Sequence, residues 1–298
     1  MNRIGYQTSA RLLSQCSHKL TRNRTLNSRV QGAFHNHRMV AEDGCNLKLI
    51  QKEKIDKILA WSAVNNDGFA LEHVPERIKD DDIEYAAISQ NGLAFQFVRK
   101  KSRDNEKLLI KAISQSKLGN PFYNTAEAVQ FASKRLRNNL NVMKIAINLN
   151  PLTYRFAGKS IRDHKGLAIK TVQSSPCVVQ YLSRRLRGDK EISFLAVREK
   201  GFTLKWLSKS MKNNRKIVEE AGKNECEALQ FAGKELQNDP EIYRSSILAH
   251  RRYLPSPDKS EFSQRAHYLI NYVLKYAGKS LQKNVGFRNE AFQKLGNL

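Results

Sequence analysis

The sequence feature that most constrains the fold is an internal repeat of about 25 residues. We align the repeats on one position, here called the anchor, and count all other positions from it. The eight anchors are His73, Phe97, Phe131, Phe156, Tyr181, Trp206, Phe231 and Tyr276. From Phe131 to Phe231 the anchors are 25 residues apart, whereas longer intervals predict insertions near residues 117–126 and 251–267. A repeat of this length is typical of stacked helical architectures.

Apolar residues recur at positions −2, +1 and +5 of the repeats, three or four residues apart. This spacing predicts one continuous helix A of about ten residues, with the aromatic anchors in the core. A polar turn rich in Asn and Asp follows, and it can cap a second helix B. Position +2 is Gly or Ser in the last six repeats, which predicts close approach by the adjoining backbone.

A two-helix repeat cannot bury its own apolar face, but stacked neighbours can. The predicted fold class is therefore all-α, an α-solenoid of about eight stacked 25-residue two-helix repeats. The repeat domain is predicted to span residues 47–298, with residues 54–64 as helix B of a partial leading repeat. Residues 1–46 are predicted to form a flexible basic arm.

The combined pattern resembles a known family. An aromatic residue and Ala, a basic residue, Leu, an Asn/Asp pair and then Ile-x-x-x-Ala recur at Phe131–Ile147, Tyr181–Val197 and Phe231–Ile247. This motif is similar to the helical repeat of domain of unknown function 4116, over roughly residues 54–298. Repeats one and two depart from it, for example with Ser102 in an apolar position. The resemblance implies a binding scaffold, in some cases a secreted effector of an intracellular bacterium, and no particular chemistry.

The chain carries 52 Lys and Arg against 28 Asp and Glu, and part of this excess is periodic. Positions +3 and +6 are basic in most repeats and share one helical face. Stacking would align them into a basic stripe, the electrostatic footprint of polyanion binding. The predicted polyanion-binding residues are Lys134, Arg137, Lys159, Arg162, Arg184, Arg187, Lys209 and Lys212. Nucleic acid, an anionic membrane surface and an acidic protein are the candidate partners, and a merely solvated face is the structural alternative.

The arm has seven Lys and Arg and no acid over residues 1–41. A helix there would place Leu12, Leu13 and Leu20 opposite Arg11 and Lys19, which resembles a mitochondrial transit peptide. A flexible basic tail is the alternative. The expected localisation is cytoplasmic, or inside a host cell if the source is an intracellular bacterium, with mitochondria as the alternative. No apolar run approaches the ~18–20 residues needed to span a membrane.

No motif indicates catalysis, so the chain is expected not to be an enzyme, with no cofactor and no metal. The four cysteines are widely spaced, and the nearest ligand cluster, His35, His37 and Cys45, matches no common zinc spacing. Gly158-Lys159-Ser160 ends like a phosphate-binding loop but lacks the earlier Gly and the strand.

Three functions follow from these observations as hypotheses. The first is a non-enzymatic scaffold with a basic stripe that engages a polyanion or an acidic protein. The second is a protein-interaction module that acts as a secreted effector in a host cell. The third is an enzyme with its site in an insertion, which predicts a deep pocket near residues 117–126 or 251–267.

Overall fold

We describe the protein from a computed structural model, which covers residues 24–115, 125–251 and 259–296, with backbone alone at 24–30, 259 and 260. The chain divides into two compact units, Met1–Ser133 and Lys134–Leu298. Within the described residues all regular elements are α-helices or 3₁₀-helices, and no strand occurs. The all-α prediction is therefore confirmed.

The N-terminal unit alternates short 3₁₀-helices with α-helices. Its α-helices are α1 (Arg24–Glu42), α2 (Lys57–Asn66), α3 (Asp81–Gln90) and α4 (Glu106–Ile113). Its 3₁₀-helices are Gly44–Leu49, Lys52–Lys54, Gly68–His73, Gly92–Phe97, Ser102–Asp104 and Thr125–Phe131.

The C-terminal unit repeats the same order of elements. Its α-helices are α5 (Leu140–Leu149), α6 (Lys159–Arg162), α7 (Lys165–Ser174), α8 (Lys190–Glu199), α9 (Lys209–Lys212), α10 (Arg215–Asn224), α11 (Pro240–His250), α12 (Lys259–Leu274), α13 (Lys279–Gln282) and α14 (Val285–Gly296). Its 3₁₀-helices are Leu136–Asn138, Pro151–Phe156, Pro176–Tyr181, Leu186–Gly188, Gly201–Trp206, Cys226–Phe231 and Leu236–Asn238.

Helix B is present in every repeat, and its N-terminus is capped as expected. The Asp189 side chain accepts hydrogen bonds from the backbone N–H groups of Glu191 and Ile192, and Asn214 caps α10 through Ile217 in the same way. Such caps satisfy N–H groups that have no partner within the helix. Helix B of the leading repeat is α2, and two 3₁₀-helices precede it, so that repeat is complete rather than partial.

The prediction of a continuous helix A is wrong. In repeat four a 3₁₀-helix ends at the anchor Phe156, the backbone is extended at Ala157 and Gly158, and the four-residue α6 follows. The cause is the Gly158 N–H, which donates to Arg137 O of the preceding repeat at 2.7 Å instead of to its own helix. The same bond is made by Ser183, Ser208, Gly233 and Gly278 in the C-terminal unit and by Ser133 in the N-terminal unit.

The core lies where the periodicity predicts. Position −2 is buried in all eight repeats, and position +1 is buried in all except the last, at Ala277. Position +5 is buried at Leu136, Ile161, Leu186, Met211 and Leu281. The broken helix A keeps this pattern because both of its pieces turn their apolar side chains toward helix B.

Small residues allow the two halves of a repeat to approach closely. A Cβ on Gly201, the first residue of its 3₁₀-helix, would overlap Ala221 O in the last turn of α10. Gly68 stands in the same relation to Ala87 of α3. Such close approach explains why helix B carries a small residue at this position in every repeat.

Two predicted segment boundaries change. The arm predicted to be flexible to residue 46 contains α1, whose Val40 is fully buried and whose Val40 carbonyl accepts a hydrogen bond from Asn66 Nδ2 at 2.9 Å. The insertion predicted near residues 251–267 contains the start of α12, which runs on to replace the 3₁₀-helix of repeat eight. Residues 1–23 and 116–124 lie outside the described residues.

Candidate anion-binding surface

The predicted basic stripe separates into two kinds of residue. Position +3 is exposed in every repeat of the C-terminal unit, whereas position +6 is half-buried. In the parts of the chain that the structure describes, no carboxylate pairs with any of the four predicted position +3 cations. These four cations are Lys134, Lys159, Arg184 and Lys209. Their charge is therefore available to a ligand.

The position +6 side chains are tied to their own repeat. Arg162 donates from Nε to Ala157 O at 2.8 Å and from Nη2 to Arg155 O at 2.6 Å. These carbonyls flank the anchor Phe156, where the 3₁₀-helix ends and no helical N–H reaches them. Gln237 and Gln282 make the same pair of bonds in repeats seven and eight. A neutral side chain can therefore cap these carbonyls as well as a charged one, so the primary role of position +6 is to cap carbonyls. The sequence analysis did not predict this role.

Two neighbouring position +6 cations, Arg187 and Lys212, are nevertheless close enough to repel each other. Burial lowers the pKa of the Lys212 ammonium below its ordinary value, and Arg187 of the preceding repeat lowers it further. The Nε atoms of Arg137 and Arg187 are buried without a hydrogen-bond partner in the described chain. We call the four position +6 cations, Arg137, Arg162, Arg187 and Lys212, together with the four exposed position +3 cations, the basic stripe. Its residues interact between repeats where Arg187 meets Lys212.

The acids near the stripe are already engaged. Asp163 accepts hydrogen bonds from Ser183 Oγ and, at 3.0 Å, from Arg185 Nε, both in the next repeat. The Arg185 guanidinium in particular holds the pKa of the Asp163 carboxyl below its ordinary value. Asp189 pairs with Lys165 at 2.9 Å and Asp239 with Arg215 at 2.5 Å, in both cases beside the N-terminus of a helix B. These carboxylates join repeats rather than neutralise the stripe.

The aromatic anchors were predicted to be core residues, and this is wrong. All eight anchors are half-buried, whereas their neighbours at positions −2 and +1 fill the core. In repeats one to seven the anchor is the last residue of a 3₁₀-helix, directly before the turn to position +1. The aromatic anchors are Phe97, Phe131, Phe156, Tyr181, Trp206, Phe231 and Tyr276.

Cations lie against several of these rings. The Arg155 guanidinium is 4.6 Å from the centre of the Phe156 ring, and Lys275 Nζ is 5.8 Å from that of Tyr276. Lys205 Nζ lies 5.7 Å from the Phe202 ring and 5.8 Å from the Phe231 ring. Basic side chains therefore contact aromatic rings in several repeats of the C-terminal unit.

A separate cavity of about 1100 Å³ lies beside α12, where the enzyme hypothesis predicts a pocket. Its lining includes Phe202, Cys226, Tyr268 and Tyr272. Burial in particular raises the pKa of the Cys226 thiol to about 12, which disfavours the thiolate. Tyr272 donates its hydroxyl to Glu227 Oε1 at 2.5 Å. His250 also lines this cavity.

The N-terminal unit brings Cys45 close to Asp43 and Asp67, with one potential ligand atom from each within 4.8 Å of the others. Each contact has a structural role. Asp43 and Asp67 cap the 3₁₀-helices that follow them, and Cys45 Sγ donates to Asp67 Oδ2 at 2.8 Å. That hydrogen bond raises the pKa of the Cys45 thiol to about 11, which disfavours the thiolate that metals bind. His35 and His37 do not join this cluster.

No α-helix among the described residues has both the length and the apolar character that a membrane span requires. The residues of the predicted targeting segment, Arg11 to Arg22, lie outside the described residues.

Comparison with known proteins agrees with the repeat pattern. A family model, described as Domain of unknown function (DUF4116), matches residues 56–103, 105–162, 164–212 and 189–237. No curated protein and no solved structure matches the chain. The four adjacent matches cover more than half of the chain and follow the repeats that the anchors define. The protein therefore belongs to the family of the domain of unknown function DUF4116, and residues 56–237 consist of consecutive copies of that helical repeat.

Proposed function

We propose that the protein is a non-enzymatic binding scaffold, and that the basic stripe of its C-terminal unit engages a polyanion. The observation that carries this proposal is the row of exposed, unpaired cations at position +3, one in each of four consecutive repeats. A periodic row of charge matches a periodic anion such as a phosphate backbone.

The distribution of charge supports the same function. Residues 134–298 carry 32 Lys and Arg against 14 Asp and Glu, whereas residues 1–133 carry 20 against 14. A surface that only needs to be solvated usually mixes both signs, because unbalanced charge destabilises the compact state. The excess therefore favours a ligand that neutralises it.

We also propose that the repeats form one α-solenoid of about eight stacked units. In the C-terminal unit, successive repeats are joined by the hydrogen bond from position +2 to the preceding position +6, and Ser133 makes the same bond to Arg103 O in the N-terminal unit. Small-angle scattering tests the arrangement. A solenoid of stacked repeats should have a radius of gyration clearly above the ~19 Å expected of a compact globule of this length. A measured radius of about 19 Å would contradict the solenoid.

The binding proposal is tested by reversing the four position +3 cations. The variant is Lys134→Glu, Lys159→Glu, Arg184→Glu and Lys209→Glu. The matched control reverses four exposed lysines of helix B: Lys144→Glu, Lys170→Glu, Lys190→Glu and Lys216→Glu. Both variants change the net charge equally, so a difference between them reports the position of the charge and not its amount.

Binding to heparin and to labelled single- and double-stranded DNA is measured at low and high salt. We expect the position +3 variant to lose retention and the control variant to keep most of it. Equal loss in both variants would show non-specific attraction. Wild-type protein that ignores all of these probes and anionic vesicles at low salt would contradict the proposal and favour a protein partner.

A further inference from the structure

In repeat four the basic stripe meets the anchor, because Arg162 binds the carbonyls on both sides of Phe156, and this juxtaposition narrows the class of polyanion. We propose that the C-terminal unit binds single-stranded nucleic acid, with bases stacked on the anchors of repeats four to six and phosphates held by the basic stripe. The inference rests on the proposed function and adds that the bound polyanion must have unpaired bases that can stack on the anchors.

The first step is the position of the rings relative to the charges. Arg162 reaches the carbonyls on both sides of Phe156, so its guanidinium lies beside that ring. Arg155 covers part of the same ring from 4.6 Å. An aromatic face beside two cations is the combination that single-strand binding proteins use, because bases stack and phosphates pair at once.

The second step is the spacing of the rings along the chain. Each of repeats four to six offers one aromatic anchor, Phe156, Tyr181 or Trp206, together with exposed Lys159, Arg184 or Lys209. The rings continue between repeats: Phe202 packs edge-on against Trp206 at 6.2 Å and against Phe231 at 5.0 Å. The anchors of repeats four to six therefore form a repeated set of rings, here called the stacking platform. Such a platform would bind bases of any sequence, because stacking does not read base edges.

The third step is the exclusion of other polyanions. A duplex hides the faces of its bases, whereas heparin and anionic vesicles have none. A duplex, heparin or an anionic vesicle would therefore contact the cations of the basic stripe but would not stack on the anchors. The anchors are only half-buried, whereas the buried positions −2 and +1 hold mainly aliphatic residues. Stacking of bases on the rings would account for the recurrence of an aromatic residue at the anchor position.

The stacking platform ends before repeat seven, because the charge of the repeat changes there. Repeat seven has acidic residues at Glu225, Glu227 and Glu235, and its position +6 is the neutral Gln237. Tyr272 of repeat eight is held by Glu227, so its hydroxyl is already engaged. We therefore assign the site to repeats four to six, the stretch in which rings and cations recur together.

The test uses the intrinsic fluorescence of the anchor in repeat six. Trp61 and Trp206 are the two tryptophans of the chain, so Trp61→Phe leaves Trp206 as the single reporter. The probes are oligothymidylate longer than the ~16 nucleotides that a single-strand site can cover, a DNA duplex and heparin. We expect oligothymidylate to quench Trp206, and the duplex and heparin to bind without quenching.

A substitution series supplies the second readout. In the wild-type chain, Trp206→Leu should weaken oligothymidylate binding roughly five- to hundred-fold, the loss of one stacked base, and should leave heparin binding unchanged. Trp206→Phe keeps a ring and should retain most of the affinity. Phe194→Leu, an exposed aromatic residue on α8, is the matched control and should change neither.

The outcomes separate this inference from the proposed function. Binding of oligothymidylate without quenching, or equal loss of heparin binding in Trp206→Leu, would overturn the stacking model and leave polyanion binding standing. Failure of every polyanion to bind at low salt would overturn both. If Trp206→Leu does not fold, as judged by circular dichroism, the quenching of Trp206 in the Trp61→Phe protein decides alone.

Discussion

At the residue scale, repeat two shows how a departure from the repeat pattern is compensated. Glu84 is fully buried in α3, and its carboxylate accepts hydrogen bonds from Arg99 N at 2.6 Å, Arg99 Nε at 2.9 Å and Ser102 Oγ at 2.6 Å. Arg99 stands at position +2 and Ser102 at position +5, where other repeats have a small and an apolar residue. The Glu84 carboxylate in particular raises the pKa of Arg99 above its ordinary value. The three polar side chains thus replace an apolar contact as a set.

We predict that Glu84→Ala strongly destabilises the protein, by about 3–5 kcal/mol, because the half-buried Arg99 keeps only Asp81 as a partner and the buried Ser102 hydroxyl loses its acceptor. The triple variant Glu84→Met, Arg99→Ser and Ser102→Leu restores the apolar pattern and should recover most of the loss. Urea unfolding followed by circular dichroism measures both. Equal stability of Glu84→Ala and wild-type protein would show that the cluster is not needed.

A second residue-scale prediction separates the two roles of position +6. Arg162→Gln should keep wild-type stability, because Gln237 and Gln282 cap the same two carbonyls in their own repeats. Arg162→Ala should lose about 1–3 kcal/mol, since two carbonyls lose their donors. Both variants should weaken heparin binding similarly, because both remove the charge. Thermal unfolding and heparin titration check this pair, and an Arg162→Gln protein as unstable as Arg162→Ala would refute the capping role.

At the element scale, the connection between repeats combines a constant backbone bond with a variable side-chain pair. Position +7 of one repeat meets position +2 of the next. Where position +7 is Asn, as in Asn138, the partner is Gly158, and a Cβ on that glycine would overlap the Asn138 side chain. Where position +7 is Asp, as in Asp163, the partner is Ser183, which donates to the carboxylate. The pairs are complementary in size and in hydrogen bonding.

This complementarity predicts a coupled pair of substitutions. Gly158→Ser alone should cost about 1–3 kcal/mol, because the new side chain overlaps Asn138. Adding Asn138→Asp converts the pair into the one found at Asp163 and Ser183 and should recover most of that loss. A double-mutant cycle in urea is the measurement, with a coupling of about 0.5–3 kcal/mol expected for residues in contact. Simple additivity of the two changes would contradict the pairing.

The same elements show how far the sequence predicts the fold. The buried positions −2, +1 and +5, helix B and its Asn and Asp caps follow from spacing, because burial on one face leaves a period in the sequence. The break in helix A does not follow, since its cause is the bond from the Gly158 N–H to a carbonyl of another repeat. Local propensity contains no information about such a partner. The small residue at position +2 was the available signal, and it indicated close approach but not its geometry.

The candidate site was predicted in part for a related reason. Positions +3 and +6 look alike in sequence because both are basic, and three-residue spacing suggests one face. The structure distinguishes them by where the chain turns: the extended residues Ala157 and Gly158 direct Arg162 back toward its own carbonyls, while Lys159 stays exposed. The half-burial of the anchors was not predicted either, because the continuous helix expected from the spacing would place them in the core.

At the scale of the whole molecule, the two compact units differ in charge more than in architecture. Both contain the same repeat, and Lys100 occupies position +3 in the N-terminal unit as Arg184 does in the C-terminal unit. The surroundings of Lys100 are acidic by comparison, because residues 42–116 carry 13 Asp and Glu against 12 Lys and Arg. The same repeat thus carries excess positive charge in the C-terminal unit and nearly equal numbers of acidic and basic residues over residues 42–116. Binding of a polyanion should therefore depend on the C-terminal unit.

The salt dependence of binding tests this asymmetry. Each phosphate contact of a single strand contributes about 0.7 to the slope of log K against log salt, because neutralising a phosphate releases condensed counterions. We predict that Arg184→Gln lowers the slope for oligothymidylate by about 0.7, and that the equivalent Lys100→Gln leaves it unchanged. Titrations at several salt concentrations give both slopes. Equal slopes for the two variants would mean that the ligand does not distinguish the units, and that net charge rather than the basic stripe drives binding.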